Sequence, residues 1–355
     1  MIVLDRKPTI TDVAKLAGVS MKTVSRVINK EPNVRDELRD RVLKAADELG
    51  YQPNFSARSL AGVRSFQLAY LFGDPGGDYA HGVQIGILDA CRDAGYHLVV
   101  EQIDVDAPDA AQRTATLVAQ LRLDGVVLSP PITDHRGVLD ALKRAGVPYV
   151  RIAPDEALDG SPYVQMDDAK AAEELTHYLV DLGHRDIGFI KGHPRHAAGR
   201  LRFEGFRRAM EARGLAVQPS LVEQGTFSYG SGIDCAWRLL RRRARPTAIF
   251  ASNDDMAAAV AAVAHESGIE VPEDLTVVGF DDAPIAQVVW PPLTTVCQPI
   301  REMARAAADL LIGRAADKDR DSWPDPVPHR LLAHELRVRR SSAPPGERTV
   351  ARARR

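Results

Sequence analysis

The chain has 355 residues, of which 45% are hydrophobic and 26% are charged, and its formal net charge is −2. This composition is typical of a soluble globular protein, and no run approaches the roughly 18–20 apolar residues that a membrane-spanning helix requires. Because the first ten residues, MIVLDRKPTI, lack the apolar segment of a secretory signal, we expect a cytoplasmic protein. The three cysteines, Cys91, Cys235 and Cys297, are widely spaced, which is typical of reduced, buried thiols rather than of a metal or redox site.

The first predicted elements are two short helices within residues 9–29, TITDVAKLAGVSMKTVSRVIN. Thr9 is a suitable N-cap for the first helix, and Asp12 completes a capping box. Gly18 ends that helix because glycine adopts a positive φ without steric cost, and Ser20 is a suitable N-cap for the second helix. This order predicts two helices joined by a tight turn.

The second of these helices has two different sides. At about 100° per residue, Val24, Val27 and Ile28 fall on one side, which predicts that they contact a core. The opposite side carries polar, cationic and flexible side chains, namely Met21, Lys22, Ser25, Arg26 and Asn29. Arg and Lys hydrogen-bond guanine edges in the major groove, whereas Asn and Ser contact bases or phosphates. The pattern therefore indicates a helix-turn-helix that binds DNA; the alternative is a small helical subdomain with a solvated face.

A third amphipathic helix is predicted from Arg35 to Leu49. The apolar side chains expected to cover the first two helices are Leu38, Val42, Leu43, Ala46 and Leu49. The first 64 residues contain twelve Lys and Arg against eight Asp and Glu, so this part has a net charge of +4 in a chain of net charge −2. A basic module on a slightly acidic body indicates binding to nucleic acid.

The next segment can form a helix only with help from another surface. Pro53 favours an extended backbone, Asn54 is a suitable N-cap, and Gly62 is a suitable stop. The residues between Asn54 and Gly62 are fewer than the roughly 12–15 that an isolated helix needs in water. We therefore expect residues 54–62 to be helical only when something packs against them; the alternative is a plain linker.

From residue 66 onward, apolar runs alternate with helical patterns, an order that predicts doubly wound parallel sheets. The first series has strands at 66–72, 96–102, 124–130 and 147–153, separated by helices at 83–94, 108–121 and 136–145. The second series opens with the strand YVQM near Val164 and continues with strands at 186–190, 247–251 and 275–280 and helices at 168–182, 200–213, 231–242 and 254–267. Two series predict two lobes with facing loops, and ligands of such sheets bind at the carboxyl ends of the strands.

The expected fold is an N-terminal all-α helix-turn-helix headpiece followed by an α/β core of two doubly wound parallel-sheet lobes. The expected bounds are 8–53 for the headpiece, 54–62 for the hinge, 65–340 for the core and 341–355 for a basic, disordered tail. Within the core, lobe one is expected at about 65–163 and 297–324, and lobe two at about 164–291 and 325–340. The chain is expected to cross between the lobes near 163–167, 291–297 and 322–330.

Several polar side chains follow strands of the second series. Asp281 directly follows one strand, and Asn253 and Asp254 follow another. Planar charged and amide groups of this kind suit a neutral polyol, and Phe227 supplies a flat apolar surface. Taken singly, Asn253 and Asp281 are explained equally well as caps of the next helix or turn. Their convergence on one sheet edge favours a binding site.

Residues 9–62 resemble the headpiece of the LacI/GalR family of bacterial transcription regulators, through DVAKLAGVS, TVSRVIN, LGYQPN and ARSLAG, and the resemblance continues to about residue 340. It implies a homodimer on a palindromic operator, with two hinge helices paired in the minor groove. Leu60 would be the apolar wedge that bends the DNA, and Ala57 would pack close to it. The DNA-contacting residues that it implies are Thr9, Ser20, Met21, Lys22, Thr23, Ser25, Arg26, Asn29, Asn33, Tyr51, Asn54, Ala57, Arg58 and Leu60.

The same resemblance implies an effector cleft between two periplasmic-binding-protein-like lobes. The ligand-contacting residues of the family fall on Arg202, Asn253, Asp254, Asp281 and Gln298. Further candidates are Phe227, Arg151, Asp167, Ser129 and the 72–79 loop with Phe72, Asp74, Asp78 and Tyr79. That loop, FGDPGGDYAHGV, departs from the commoner Asn-Pro-Phe-Phe pattern of the family. A sugar or glycoside is the expected effector, and a nucleobase is the alternative.

The resulting hypothesis is a repressor whose operator affinity depends on the bound effector, either as an inducer or as a corepressor. A solute-binding protein of the transport type shares such a core, but it has no use for the headpiece. An enzyme is not expected, because His193-Pro-Arg-His196 has no acidic partner motif, and the sequence contains no G-x-S-x-G, P-loop or Rossmann glycine pattern. We expect no cofactor, no metal and no membrane partner. The tail lacks leucine heptads, which favours a dimer over a tetramer.

Overall fold

The computed structural model describes residues 6–28, 34–51, 64–73, 77–155, 160–317 and 323–346, and all structural statements refer to these ranges. The chain forms two compact units, Met1–Phe66 and Gln67–Arg355. Within the described ranges, no helix combines the length and apolar character needed to cross a membrane.

The described residues of the first unit form three helices, α1 (Ile10–Ala17), α2 (Met21–Ile28) and α3 (Asp36–Leu49). Each helix contributes one fully buried valine to a small core. These residues are Val13, Val24 and Val42. The predicted capping box is confirmed, since the Asp12 carboxylate accepts hydrogen bonds from the Thr9 amide at 2.8 Å and the Thr9 hydroxyl at 2.7 Å. The turn prediction is confirmed as well, because Gly18 has φ 64°.

One core prediction for the third helix is wrong. Leu43 is 48% exposed, and Ala45 is buried in its place. At about 100° per residue, the positions that share a face with Val42 are three, four and seven residues later, whereas Leu43 lies a quarter-turn away. The buried stripe therefore consists of Val42, Ala45, Ala46 and Leu49.

The second unit consists of two α/β lobes joined by three crossings. Its strands are β1 (Gln67–Phe72), β2 (His97–Gln102), β3 (Gly125–Leu128), β4 (Tyr149–Ile152), β5 (Tyr163–Met166), β6 (Ile187–Lys191), β7 (Val222–Gln224), β8 (Ala248–Ala251), β9 (Thr276–Val278), β10 (Thr295–Cys297), β11 (His329–Leu332) and β12 (Glu335–Arg337). Its helices are α4 (Asp78–Ala94), α5 (Ala110–Gln120), α6 (Arg136–Arg144), α7 (Asp168–Asp181), α8 (Ala197–Ala212), α9 (Tyr229–Leu240), α10 (Asp254–Glu266), α11 (Ile285–Val288) and α12 (Ile300–Ala316).

Each lobe is built on a parallel sheet. Lobe one carries the six-stranded sheet, in the order β11-β5-β4-β3-β1-β2. Lobe two carries the four-stranded sheet, in the order β7-β6-β8-β9. The antiparallel pair β10-β12 forms a separate two-stranded sheet, which isolated parallel bridges at Val278–Thr294 and Asp281–Cys297 connect to lobe two. The α/β order that was predicted from the apolar runs is confirmed, because strands that are buried on both faces require helices on both sides.

The sheet pairing corrects two lobe assignments. The strand near Val164 was expected to open lobe two, but β5 pairs with β4 in the sheet of lobe one, where Arg151 lies opposite Tyr163. Residues 325–340 were expected in lobe two, yet β11 pairs with β5 at the edge of the same sheet. The last crossing therefore lies between β11 and β12 rather than near 322–330. Main-chain pairing between distant segments leaves no mark in the local apolar pattern, which is why the bounds were misplaced.

A long helix of lobe one was not predicted. Helix α12 packs against α4 and the inner strands of the lobe-one sheet, with Met303, Ala307 and Leu311 fully buried. The two helices approach closely because α4 has a glycine at the contact: a Cβ at Gly86 would lie 2.3 Å from the carbonyl oxygen of Arg301. The apolar repeat of this helix is helical in period, so the sequence did carry the signal.

The start of the predicted disordered tail is ordered. Ser341 is fully buried, and its hydroxyl donates to the carbonyl of Val277 at 2.5 Å and accepts from the amide of Thr294 at 2.8 Å. The amide of Val277 also donates to the carbonyl of Ser341 at 2.9 Å. Residues 341–346 thus belong to lobe two, and the expectation of disorder is wrong for them. Residues 347–355 lie outside the described ranges.

His184 fastens this C-terminal segment to lobe two. The buried imidazole lies 2.9 Å from the hydroxyl of Thr247 through Nδ1 and 2.9 Å from the carbonyl oxygen of Ala343 through Nε2. A carbonyl oxygen only accepts, so Nε2 carries the proton and donates, and Nδ1 accepts from the Thr247 hydroxyl. Burial lowers the pKa of His184 to about 4, against an ordinary value of 6.5. The ring is therefore neutral in the folded protein at neutral pH.

Because the folded-state pKa of His184 lies below its unfolded value, the stability it contributes is present above about pH 6.5 and is lost as the pH falls toward 4. We expect about 3 kcal/mol of the free energy of unfolding to be lost in this window. Urea unfolding as a function of pH measures it. His184→Gln removes this component of the pH profile, whereas the exposed His265→Gln leaves it unchanged. An identical pH profile for His184→Gln would contradict the assignment.

Candidate functional sites

The exposed face of α2 matches the prediction from the helical wheel. Val24 and Val27 are buried, while Met21 is 54% exposed and Lys22 is exposed. Thr23, Ser25 and Arg26 are half-buried at the edges of this face. The predicted N-cap is confirmed, because the hydroxyl of Ser20 accepts from the amide of Thr23 at 3.1 Å. The helix therefore exposes the flexible side chain of Met21 and the cationic side chain of Lys22 at its N-terminal end.

The remaining candidates of the helical unit lie around this helix or outside the described ranges. Thr9 is exposed, and its hydroxyl is engaged by Asp12. Hydrogen bonds from Arg6 and Thr9 hold the pKa of Asp12 well below its usual range. Tyr51 is half-buried against the helical core, and this burial raises its pKa. The candidates outside the described ranges are Asn29, Asn33, Asn54, Ala57, Arg58 and Leu60, together with the predicted hinge, 54–62.

A cavity of about 610 Å³ lies between the two lobes of the second unit. This volume is in the range of small-molecule binding sites. The cavity brings together nine of the side chains named from the sequence, which are Phe72, Asp78, Tyr79, Ser129, Arg202, Phe227, Asn253, Asp281 and Gln298. They come from both lobes and from the carboxyl ends of several strands, as the parallel topology predicts.

Other lining residues were missed by the sequence analysis. They are Gly77, Ala80, Pro130, Ala153, Asp168, His196, Ala198, Thr226, Ser228, Tyr229, Asp255 and Ala283. A usable signal existed for two of them: Asp168 and Asp255 lie in the first turns of helices that follow strands, the same position that singled out Asp254. The others are brought to the wall only by the folding of distant loops.

Three expected cleft residues do not line the cavity. Arg151 is fully buried in lobe one, where its Nε donates to Ser161 at 3.0 Å and its Nη1 to Asp134 at 3.3 Å. Asp254 is fully buried behind the wall, where it accepts from the hydroxyl of Thr295 at 2.6 Å and the amide of Ala283 at 2.8 Å. Asp167 caps α7 by accepting from the amide of Lys170 at 2.9 Å. Each of these residues hydrogen-bonds within the protein instead of lining the cavity. A fourth candidate, Asp74, lies outside the described ranges.

Arg202 is the centre of the polar wall in lobe two. Its side chain projects from α8 and is only 4% exposed. Nε donates to Asp168 at 2.8 Å, and Nη1 donates to the carbonyl of Ser252 at 2.5 Å and to Asp281 at 3.3 Å. The guanidinium also lies 3.8 Å from the ring centroid of Phe280. A buried charge needs this number of partners, since removing it from water is costly.

Asp281 connects Arg202 to the strand pair between the lobes. It has φ 118°, a region that side-chain-bearing residues rarely adopt, and Oδ1 accepts from Nε2 of Gln298 at 2.5 Å. Burial raises the pKa of Asp281 to about 6, although the Arg202 charge and the Gln298 hydrogen bond act in the opposite direction. Strain of this kind persists only where surrounding contacts hold it, and it is common at ligand sites.

Asn253 caps the helix α10 and also lines the cavity, so its predicted roles as a helix cap and as a binding residue do not exclude each other. Its Oδ1 accepts from the amide of Met256 at 3.1 Å, and its Nδ2 donates to the carbonyl of Phe227 at 2.8 Å. The second bond fixes Phe227, whose backbone has φ 64°. The Phe227 ring lies directly over Gly192, where a Cβ would approach it to 2.0 Å. Only glycine at position 192 leaves space for the ring.

Replacing Arg202 tests this network. Arg202→Met leaves Asp168 and Asp281 buried without their cation, so we expect a loss of about 3–5 kcal/mol in the free energy of unfolding at neutral pH. The loss shrinks as the pH falls below about 6, where Asp281 is protonated. Arg207→Met on the same helix removes an exposed pair with Glu211 and is expected to change stability by less than about 1 kcal/mol. Equal effects of the two substitutions in denaturant unfolding would contradict the assigned role.

The helical segment and the α/β unit each match a described protein family. Residues 9–54 match the model of bacterial regulatory proteins, lacI family, and residues 176–342 match a periplasmic binding protein-like domain. The HTH-type transcriptional regulator DegA of Bacillus subtilis (strain 168) is 36% identical over 340 residues, which cover 95% of this chain and 99% of that protein. The HTH-type transcriptional regulator CelR of Thermobifida fusca is 36% identical over 324 residues, 87% of this chain and 92% of that protein.

Solved structures match over the same extent. A transcriptional regulator CelR–cellobiose complex has 33% identity and a TM-score of 0.72, and covers 95% of this chain and 100% of that chain. The lac repressor dimer bound to operator and the anti-inducer ONPF has 27% identity and a TM-score of 0.76 over the same shares of the two chains. With the exposed face of α2 and the interlobe cavity already described, these likenesses lead to one conclusion: the chain belongs to the LacI family of bacterial regulatory proteins.

Proposed function

We infer that this protein is a sequence-specific DNA-binding transcriptional regulator, a repressor whose operator affinity is controlled by a small effector in the interlobe cavity. The observation that carries this inference is the combination of two sites on one chain. A separate helical unit presents the exposed α2 face, and the α/β unit contains the 610 Å³ cavity. The relatives over most of the chain are regulators and repressors rather than enzymes.

The DNA partner is an operator duplex bound by a homodimer. The described lac repressor structure is a dimer on its operator, and a two-fold symmetric protein recognises a palindromic site. Within each headpiece, residues 8–53 would contact the major groove, with Met21, Lys22 and Arg26 nearest the bases. Residues 54–62 would connect to the core, with Leu60 in the minor groove. Because operator DNA is cytoplasmic in bacteria, we place the protein there.

The effector is proposed to be a sugar or sugar derivative. The related CelR was solved with cellobiose, and the relatives include the ribose operon repressor of Escherichia coli. The cavity offers Phe72 and Phe227 for stacking on a sugar ring and Arg202, Asp281 and Gln298 for hydroxyl groups. Effector binding would change the relative positions of the lobes and thereby the hinge; such coupling requires that the effector bind the two states with different affinities.

A single substitution on α2 tests the DNA-binding face. Lys22→Ala is expected to weaken binding roughly tenfold, since one good base contact contributes about 1–3 kcal/mol of discrimination. The probe is a duplex selected from random sequences by the unaltered protein, and the measurement is a gel shift at fixed salt. Lys44→Ala, which removes an exposed lysine of α3, is the matched control and is expected to have a smaller effect. Equal affinities for the two variants would contradict the proposed face.

Removal of residues 1–62 tests whether the first unit binds DNA and the second unit binds the effector. We expect the shortened protein to lose all binding to the selected duplex and to retain saccharide binding, because the cavity is built entirely from the second unit. Gel shifts and calorimetry on the same preparation measure both properties. Retained affinity for the duplex would refute the assignment of DNA binding to the first unit.

A further inference from the structure

The wall of the interlobe cavity carries more negative than positive charge. Its carboxylates are Asp78, Asp168, Asp255 and Asp281, and the guanidinium of Arg202 is the cation among its described lining residues. Arg202 already pairs with Asp168 and Asp281. Within the described part of the chain, Asp78 and Asp255 have neither a hydrogen bond nor an ion pair from another side chain. Among the described residues, no side chain therefore pairs with these two carboxylates of the cavity.

These two carboxylates belong to opposite lobes. Asp78 is the first residue of α4 in lobe one, and Asp255 is the second residue of α10 in lobe two. They are within electrostatic reach of each other, because burial and then the charge of Asp78 raise the pKa of Asp255. Asp78 is exposed and Asp255 is half-buried, so carboxylates from both lobes line the same cavity and repel each other there.

The helix N-termini at the cavity do not offer a vacant anion site. Asp78, Asp168 and Asp255 each lie in the first turn of their helix, where the partial positive charge of the free N–H groups stabilises them. The positive helix ends that normally attract phosphate or carboxylate ligands are thus matched by the protein's own side chains. An anionic ligand would meet repulsion from these three carboxylates.

The buried polar atoms that remain for a ligand include acceptors. Asp168 is 5% exposed and gives Oδ1 to Arg202, while its Oδ2 has no donor among the described residues. Gln298 is 7% exposed and uses Nε2 for Asp281, which leaves its side-chain carbonyl for the cavity. A ligand rich in donors satisfies these atoms, and leaving a buried acceptor unpaired is costly.

Aromatic rings complete the cavity. Phe72 and Tyr79 come from lobe one, and Phe227 and Tyr229 come from lobe two. Aromatic faces bind the C–H face of a sugar ring and also attract an ammonium group. The cavity thus combines stacking surfaces, buried acceptors and two unmatched carboxylates.

We propose that the effector is a cationic, amine-bearing sugar, whose ammonium group lies between Asp78 and Asp255 and whose hydroxyl groups donate to Asp168 and Gln298. This inference rests on the proposed regulation by a sugar. The ammonium group removes the repulsion between the two lobes, so it contributes both to affinity and to closure of the cleft. Phosphorylated and carboxylated sugars are excluded by the same charges.

Calorimetry with the intact protein tests the charge preference. The probes are two matched sets, cellobiose with its glucosamine disaccharide analogue and cellobionate, and glucose with glucosamine and gluconate. At about pH 6 the amines are protonated. In the set that fits the cavity, we expect the amine to bind roughly tenfold more tightly than the neutral sugar, and the carboxylate not to bind. A neutral or anionic sugar that binds as tightly as the amine overturns the inference and leaves the sugar-responsive regulator intact.

Substitutions identify the carboxylates. Asp78→Asn, Asp255→Asn and the double variant keep the side-chain size, and neither residue has a hydrogen bond to lose. The double variant is expected to bind the amine no more tightly than the neutral sugar, while the exposed Asp234→Asn retains the preference. An amine preference that survives in the double variant overturns the inference. Failure of all six saccharides to bind overturns the sugar-responsive function, and the inference with it.

Discussion

The buried guanidinium of Arg202 is the interaction on which the effector cleft depends. It joins α8 to the first turn of α7 through Asp168, to the end of β8 through Ser252, and to the loop after β9 through Asp281. Because each of these partners comes from a different strand-to-helix connection, one cation fixes the relative positions of three loops. Loops at the end of a parallel sheet have no main-chain ladder of their own, so side-chain contacts of this strength set their geometry.

A second set of contacts ties the lobes' connections together. The strand pair β10-β12 joins two of the three crossings, and Asp254 binds the β10 crossing from behind through Thr295. The C-terminal segment around Ser341 then closes onto β9 and His184. The parts of the chain that change direction between lobes are therefore held to lobe two. Movements of the lobes would have to occur around this fixed base.

The two units combine different physical strategies for recognition. The helical unit has a small core of valines and alanines and places its functional side chains on an exposed helix face, where they meet a large charged polymer. The α/β unit instead buries its functional groups in a concave site. A small ligand loses its water there, and each polar atom left without a hydrogen bond lowers its affinity. A regulator needs both kinds of site. DNA is bound by exposed side chains, whereas selectivity for an effector comes from buried ones.

The sequence by itself determined the local features. The capping box of Thr9 and Asp12, the buried face of α2 and the alternation of strands and helices follow from periodicity and cap chemistry, which act over a few residues. Strand-end positions also identified Asn253 and Asp281 correctly as residues at the cavity, and the family resemblance identified Arg202. The same rule named Asp254 when its neighbour Asp255 faces the cavity, because one residue along a helix turns a side chain by about 100°.

Only the tertiary structure decided the rest. The placement of β11 in lobe one depends on main-chain pairing with β5, a segment more than 150 residues away, which no local pattern records. Ser341 can be buried because its hydroxyl hydrogen-bonds to the carbonyl of Val277 and the amide of Thr294. The presence of Asp78 and Asp255 in one cavity likewise depends on how the two lobes meet. Contacts between distant segments are set by the whole packing, and the sequence specifies them only through it.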